Sequence, residues 1–347
     1  MVVCGVLLAL IMHAERAQAQ SKRDKQDRRG KSRQPGVQSG RSLKPAVMVT
    51  LAFTLLMSLA ILLIMRAISS GTLLATRNFY GVSRVWEINA DEPKLRAYQL
   101  THGKTALGFQ FADDTLSVLP TAFYEDNSGV GLALSNHPAR PDKLRIGALG
   151  LGIGVIASYG ERGDSFRFYE INPDVIRIAE GDHGFFSFLT DSRADIRVIP
   201  GDARVSLERE LVSDGPQDID LLVLDTFNGD AMPVHLLTKE AFEIYLKHLK
   251  PDGIIAINVS NRYFDLALEV YRLADEFNLG SALVEDKGDG IQSYDSVWML
   301  LTRDRDFLEL PVIAARTAQR PSIPARLRVW TDDFSNLLQI LKQPSAS

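Results

Sequence analysis

The chain has 347 residues, 46% of them apolar, and a net charge of −4, which is enough material for one sizeable core and a smaller neighbour. The mild negative balance argues against a nucleic acid as the partner of the folded part and suits a cationic ligand. The single cysteine, Cys4, excludes disulfides within the chain, a cysteine nucleophile in the folded region and thiolate zinc sites.

At the start, Val2 to Met12 is apolar but too short to span a bilayer. No basic segment precedes it, so it reads as the tail of a helix that begins upstream rather than as a signal peptide. Ser21 to Arg41 is rich in Lys, Arg, Gln, Ser and Gly and is expected to be disordered. Its cations, among them Lys22, Arg23, Lys25, Arg28, Arg29, Lys31 and Arg33, suit a loop attracted to anionic headgroups. Ala46 to Met65 then runs twenty residues without a charge, enough to cross a bilayer core at about 1.5 Å per residue. Membrane lipid is therefore an expected partner, with residues 1–45 an apolar run plus basic linker and 46–66 a transmembrane helix.

The most informative stretch follows. In Leu144-Arg-Ile-Gly-Ala-Leu-Gly-Leu-Gly-Ile-Gly154 an apolar run breaks into Gly150, Gly152 and Gly154, and an acid, Glu170, stands twenty residues after Gly150. That is the spacing of a nucleoside-binding α/β unit: a buried strand ends in a turn whose missing Cβ atoms admit a ligand, and the acid ending the next strand accepts from ribose hydroxyls. Short apolar runs recur at Ser165–Glu170, Asp195–Asp202, Ile219–Asp225 and Gly253–Val259. Helical segments separate them, at Val155–Tyr159, Pro173–Ala179, Ala203–Leu211, Lys239–Leu249 and Phe264–Phe277, with Pro173 and the Pro251-Asp252-Gly253 turn as start and stop signals. This alternation predicts a parallel sheet covered on both faces. Ser281–Glu285 and Val297–Thr302 are joined by a polar loop too short for a crossover helix, which predicts an antiparallel pair at the sheet edge. Such an ending marks a methyltransferase-type sheet rather than a dehydrogenase-type one.

Glu170, Asp202 and Asp225 fall at the carboxyl ends of three successive strands, where open α/β sheets bind ligands. In that reading Glu170 takes the ribose, Asp202 the adenine amino group, and Asp225 faces the reacting end; the alternative is that each acid caps the helix after it. His102, His137, His183 and His235 sit near predicted turns without ligand spacing, so no metal site is expected, with His235 set apart because it follows the Asp225 loop. There is no Gly-x-Ser-x-Gly, which sets hydrolysis aside.

From Arg77 onward the chain resembles the spermidine synthase-like family, polyamine aminopropyltransferases, in the membrane-linked bacterial branch. The matching segments are Arg77–Val82, Leu100–Gly103 leading to Gln110, Tyr124–Gly131, the glycine turn, Phe168–Pro173, Gly201–Ala203 and Leu224–Leu237. The resemblance implies an α/β protein with an S-adenosylmethionine-dependent methyltransferase-like Rossmann sheet over 123–310, a small β domain over 77–122 before it, and a C-terminal extension over 311–347. It implies that decarboxylated S-adenosylmethionine donates an aminopropyl group to an amine such as putrescine, as a cosubstrate and with no tightly bound cofactor. By position it makes Asp225 the catalytic aspartate and Tyr124 its hydrogen-bonding tyrosine. Gln110, Gly150, Gly152, Gly154, Glu170 and Asp202 fall on the cosubstrate side, and Asn228, Asp230 and Tyr294 on the amine side. Family members often pair as homodimers.

Two positions depart from the family pattern. The aspartate expected inside the glycine turn is Ile153, and the second acid beyond the catalytic one is Asn228, with Asp230 placed to substitute. A charged hydrogen bond contributes about 1.5 to 3 kcal/mol, so each loss is expected to weaken amine binding tenfold or more. A methyltransferase using intact S-adenosylmethionine, or a nucleoside-binding domain without turnover, shares the same sheet and stays open. The side of the membrane is open too. The positive-inside rule puts Ser21 to Lys44 in the cytoplasm and the folded part across the bilayer, whereas decarboxylated S-adenosylmethionine is expected in the cytoplasm. In the C-terminal extension Thr331 or Asp332 is expected to cap a short helix, with Trp330 and Phe334 packed on the main domain.

Overall fold

The computed structural model describes residues 45–69, 71–226 and 233–342. The apolar Val2–Met12 run, the basic Ser21–Arg41 segment, Asn228 and Asp230 lie outside them. The chain divides after Ser70 into two compact units. In the first, helix α1 spans Pro45–Ser69, and its stretch Val47–Ile64 has a mean hydropathy of 2.7 with none of it buried. By length and composition α1 can cross a membrane.

The second unit begins with a four-stranded antiparallel sheet in sequential order, β1 (Thr72–Asn78), β2 (Gly81–Ile88), β3 (Ala97–His102) and β4 (Thr105–Phe111). Its first strand opens at Thr72, five residues ahead of the expected 77, because Thr72–Asn78 alternates between half-buried and exposed positions and puts Leu74 against the core of this sheet. Helix α2 (Gly129–Ser135) then leads into the large sheet, with Ser128 accepting from the Gly131 N–H as its cap.

The large sheet has seven strands in the order β10-β11-β9-β8-β5-β6-β7. These are β5 (Arg145–Leu149), β6 (Ser165–Glu170), β7 (Asp195–Pro200), β8 (Ile219–Leu224), β9 (Leu249–Asn258), β10 (Gly280–Asp286) and β11 (Ser296–Thr302). Strands β5 to β9 pair in parallel, and β11 inserts antiparallel between β9 and β10. The order reverses at β5, between β8 on one side and β6 on the other, which is the point where such sheets open a crevice. Helices α3 (Pro173–Ala179), α4 (Phe188–Asp191), α5 (Ala203–Ser213), α6 (Lys239–His248) and α7 (Leu266–Glu276) cover the faces. One face buries Phe242, Tyr245, Val270 and Tyr271; the other buries Phe166 and Phe168, stacked 5.8 Å apart, with Val130 and Ile156. Phe166 and Phe168 share one face while Tyr169 turns to the other, as the two-residue period requires.

Three details differ from the sequence expectation. Pro251-Asp252-Gly253 is no turn but lies within β9, where the pairing with β8 shifts register between Ile219 and Leu221 and so tolerates a proline without an N–H. The expected helix after Trp330 is absent. Asp332 instead grips Arg204 through two 2.6 Å bonds and accepts from the Thr238 hydroxyl at 2.9 Å. Past Trp330, the described part of the extension has a 3-10 segment at Leu337–Ile340, capped by Asn336. Trp330 is buried, and its backbone N–H donates to the Glu269 carboxylate at 2.7 Å.

The β5 turn depends on glycine. Gly150 has φ +95°, and a Cβ there would lie 2.2 Å from the Asp225 carbonyl oxygen, a clash with backbone that no rotamer relieves. Gly150→Ala is expected to lower stability by about 2 kcal/mol or more, read as a lower thermal midpoint, while Gly184→Ala, where a Cβ meets nothing within 4 Å, falls less despite its φ of +68°.

Candidate active site

A cavity of about 810 Å³ opens where β5 to β9 end. One wall comes from those ends: Gly150 and Gly152 after β5, Glu170 on β6, Asp202 after β7, Asp225 after β8 and Asn258 on β9. The facing wall is the small sheet, with Tyr80 from the β1–β2 turn and His102, Thr105, Ala106 and Leu107 around the β3–β4 hairpin. The two walls meet where Leu107 O would stand 2.8 Å from a Cβ on Gly152, at φ +56°, so glycine here allows the hairpin to close over the turn.

The sequence places Asp225 by ending β8 one residue earlier, and its N–H bonds the Leu149 carbonyl at 2.9 Å. Its carboxylate touches the cavity but is enclosed by protein. The Tyr124 hydroxyl donates to Oδ2 at 2.5 Å and the Asn258 amide to Oδ1 at 3.1 Å. Burial pushes the Asp225 pKa up to about 6, against the pull of these two hydrogen bonds. Burial, with the charge of Asp225, also drives the Tyr124 phenol well above its ordinary value, so it stays a proton donor to the carboxylate. Tyr124 is held in turn, since its carbonyl accepts from the Tyr159 hydroxyl at 2.6 Å and its ring lies 6.2 Å from Trp298.

Glu170 caps no helix; Asn172 does that for α3, accepting from the Asp174 N–H. The two oxygens of Glu170 accept from Leu151 N–H at 3.1 Å and Asn172 N–H at 2.8 Å, fixing the carboxylate against the glycine turn. Each oxygen retains a lone pair for a ligand. Burial raises the Glu170 pKa while these backbone donors hold it down. Asp202 does cap a helix, accepting from Val205 N–H at 3.0 Å, and its other oxygen lies 2.9 Å from His235 Nε2, so the helix-cap and cavity readings both describe it.

Three predicted site residues stand elsewhere. Gln110 is buried outside the cavity wall, because its amide donates to Ser117 O and Ser187 Oγ and its oxygen accepts from Ser187 N–H, clipping β4 to the segment before α4. Gly154 does not line the cavity; a Cβ there would meet Leu189 at 2.4 Å, so it serves packing. Tyr294 turns into an aromatic cluster with Phe109 and Phe123 and accepts from Gln99 at 2.8 Å, leaving its neighbour Asp295 on the cavity. Ile153 is fully buried, against Gly108.

Asn258 was not picked out from the sequence, though a polar residue ending the apolar run of β9 is a legible sign of a function. Ser260, Asn261 and Arg262 follow it on the cavity wall, and His102 and His235 also line it. Among the described residues, four carboxylates, Glu170, Asp202, Asp225 and Asp295, face one guanidinium, Arg262, so the cavity favours a cation.

Comparison with known proteins bears on the fold. No protein-family model matches the chain. It is 31% identical over 150 residues to a polyamine aminopropyltransferase of Vibrio vulnificus, a match spanning 41% of this chain and 47% of that protein, so about half the relative's length is covered. Among solved structures, a probable spermidine synthase from Corynebacterium glutamicum superposes with a TM-score of 0.50 at 19% identity, over 66% of this chain and 79% of its own. A spermidine synthase from Thermotoga maritima gives 0.48 at 12% identity, over 79% and 84%. The chain thus has a methyltransferase-type α/β sheet, the fold it shares with the probable spermidine synthase, and over 150 residues it is similar in sequence to a polyamine aminopropyltransferase.

Proposed function

We propose that this protein transfers an aminopropyl group from decarboxylated S-adenosylmethionine to an amine such as putrescine. The observation that carries this reading is the half-buried Asp225 carboxylate, held by Tyr124 and Asn258 beside the glycine turn in a cavity rich in negative charge. An alkylamine is almost wholly protonated near pH 7 and is no nucleophile in that form. A carboxylate with a pKa of about 6 is mostly ionised at that pH, attracts the ammonium and is basic enough to take its proton as the nitrogen attacks. The freed lone pair forms a bond to the propyl carbon next to sulfur, the carbon–sulfur bond breaks, and its electrons stay on sulfur as neutral methylthioadenosine leaves. Tyr124 and Asn258 keep the carboxylate aimed and prevent it from rotating away. In this reading Glu170 binds the ribose, Asp202 with His235 lies at the adenine end, and Asn228 and Asp230 take the amine side.

The test is a comparison of two variants. Asp225→Asn is expected to abolish aminopropyl transfer, by a thousandfold or more, while methylthioadenosine affinity stays within a few fold; Glu170→Ala is expected to lose the nucleoside. Full activity in Asp225→Asn overturns the assignment, and tighter binding of intact than of decarboxylated S-adenosylmethionine favours methyl transfer instead.

We propose as well that α1 tethers this unit to a membrane, on the strength of its exposed apolar stretch. The full chain is expected in the membrane pellet after an alkaline wash and a chain lacking residues 1–70 in the supernatant; release of the full chain by the wash contradicts the tether.

A further inference from the structure

Two short segments form the cavity wall around Asp202. Gly201, Asp202 and Ala203 come from the end of β7 and the start of α5, and Pro233, His235 and Leu236 come from a 3-10 turn, Val234–Leu236, ahead of α6. At the cavity the two segments meet through Asp202 Oδ2 and His235 Nε2, 2.9 Å apart in a solvent-exposed contact. A pair so open to water contributes little to holding its partners together, so the spacing of the segments has to be set elsewhere. It is set behind the wall. Arg204 lies at the start of the helix that Asp202 caps, and its guanidinium donates to the His235 carbonyl at 3.0 Å.

Arg204 is held in turn by the C-terminal extension. Its two terminal nitrogens each lie 2.6 Å from an oxygen of Asp332, a bidentate pair in which only 12% of the arginine side chain is exposed. Thr238, which caps α6 directly after the turn, donates to the same carboxylate at 2.9 Å. Asp332 is itself fixed, because its N–H donates to Glu240 Oε2 at 3.0 Å and the carbonyl of buried Trp330 accepts from the Lys239 N–H at 2.8 Å. One carboxylate thus joins the start of α5, the His235 turn and the start of α6, while neither Asp332 nor Arg204 lines the cavity. Resting on the proposed nucleoside cosubstrate, we propose that Asp332 is a positioning residue for it: through Arg204 it holds His235 against Asp202 and so sets nucleoside affinity without touching the nucleoside. Asp225 is held separately, by Tyr124 and by Asn258 on β9, so binding and chemistry separate.

The test is a double-mutant cycle on the full chain with Asp332→Ala and His235→Ala, read as methylthioadenosine affinity by calorimetry and as kcat and KM for aminopropyl transfer. Asp332→Ala is expected to weaken methylthioadenosine and raise the KM for decarboxylated S-adenosylmethionine by about tenfold, with kcat within about twofold of the parent. Asp332→Glu recovers part of the loss. In the His235→Ala background, where the turn has lost its contact with Asp202, adding Asp332→Ala weakens methylthioadenosine by less than about twofold more. A general loss of stability lowers the thermal midpoint but produces neither the split between KM and kcat nor this coupling. Unchanged affinity in Asp332→Ala, a loss in kcat rather than in KM, or losses that simply add in the double variant overturn the positioning role and leave the proposed function standing. Failure of the parent to bind methylthioadenosine overturns both.

Discussion

The structure is organised around keeping one carboxylate, Asp225, half-buried at the cavity wall without an opposite charge beside it. Among the described residues no cation contacts it; two neutral donors, Tyr124 and Asn258, hold it. Neutral donors orient the anion while leaving its pKa high, near 6, and a guanidinium in their place would depress it and remove its basicity. Gly150 belongs to the same constraint, since only a residue without a Cβ lets the Asp225 backbone press against the β5 turn. The apolar strands β5, β8 and β9 supply the low-dielectric surroundings, all six residues of β8 being buried.

The second constraint is that a crevice at strand ends needs a lid. In this chain the small antiparallel sheet provides it, fixed by Asn78 to the start of α3 and by Gln110 to the segment before α4. The C-terminal extension acts from behind. Asp332 holds Arg204, which in turn bonds the His235 carbonyl at 3.0 Å, so the loop carrying His235 to the cavity is anchored from two sides. The carboxylates gathered between these walls suit a ligand pair that is cationic at the sulfonium and at the amine.

Periodicity made the large sheet legible. Ser165–Glu170 and Pro173–Ala179 have their expected limits, and the short loop between Glu285 and Val297 reveals the antiparallel ending. Strand-end acids were legible for a related reason, because chain position fixes which edge they reach. What failed depends on partners distant in sequence. Gln110 is drawn away from the cavity by Ser187 and Tyr294 by Phe109 and Phe123, while Asp332 is drawn from its expected helix cap to Arg204, and none of these contacts has a local signature. Pro251 reads as a turn until the register shift beside it is known.

The central claim, that a half-buried Asp225 accepts the proton of the attacking amine, is tested most directly by the pH dependence of kcat/KM for aminopropyl transfer. A base with a pKa of about 6 predicts an acid limb centred there, activity falling as pH drops through that value. Asn258→Ala removes a hydrogen bond that favours the carboxylate, so the limb moves to higher pH. An acid limb left in place by Asn258→Ala, or activity that persists undiminished down to pH 4, contradicts the account.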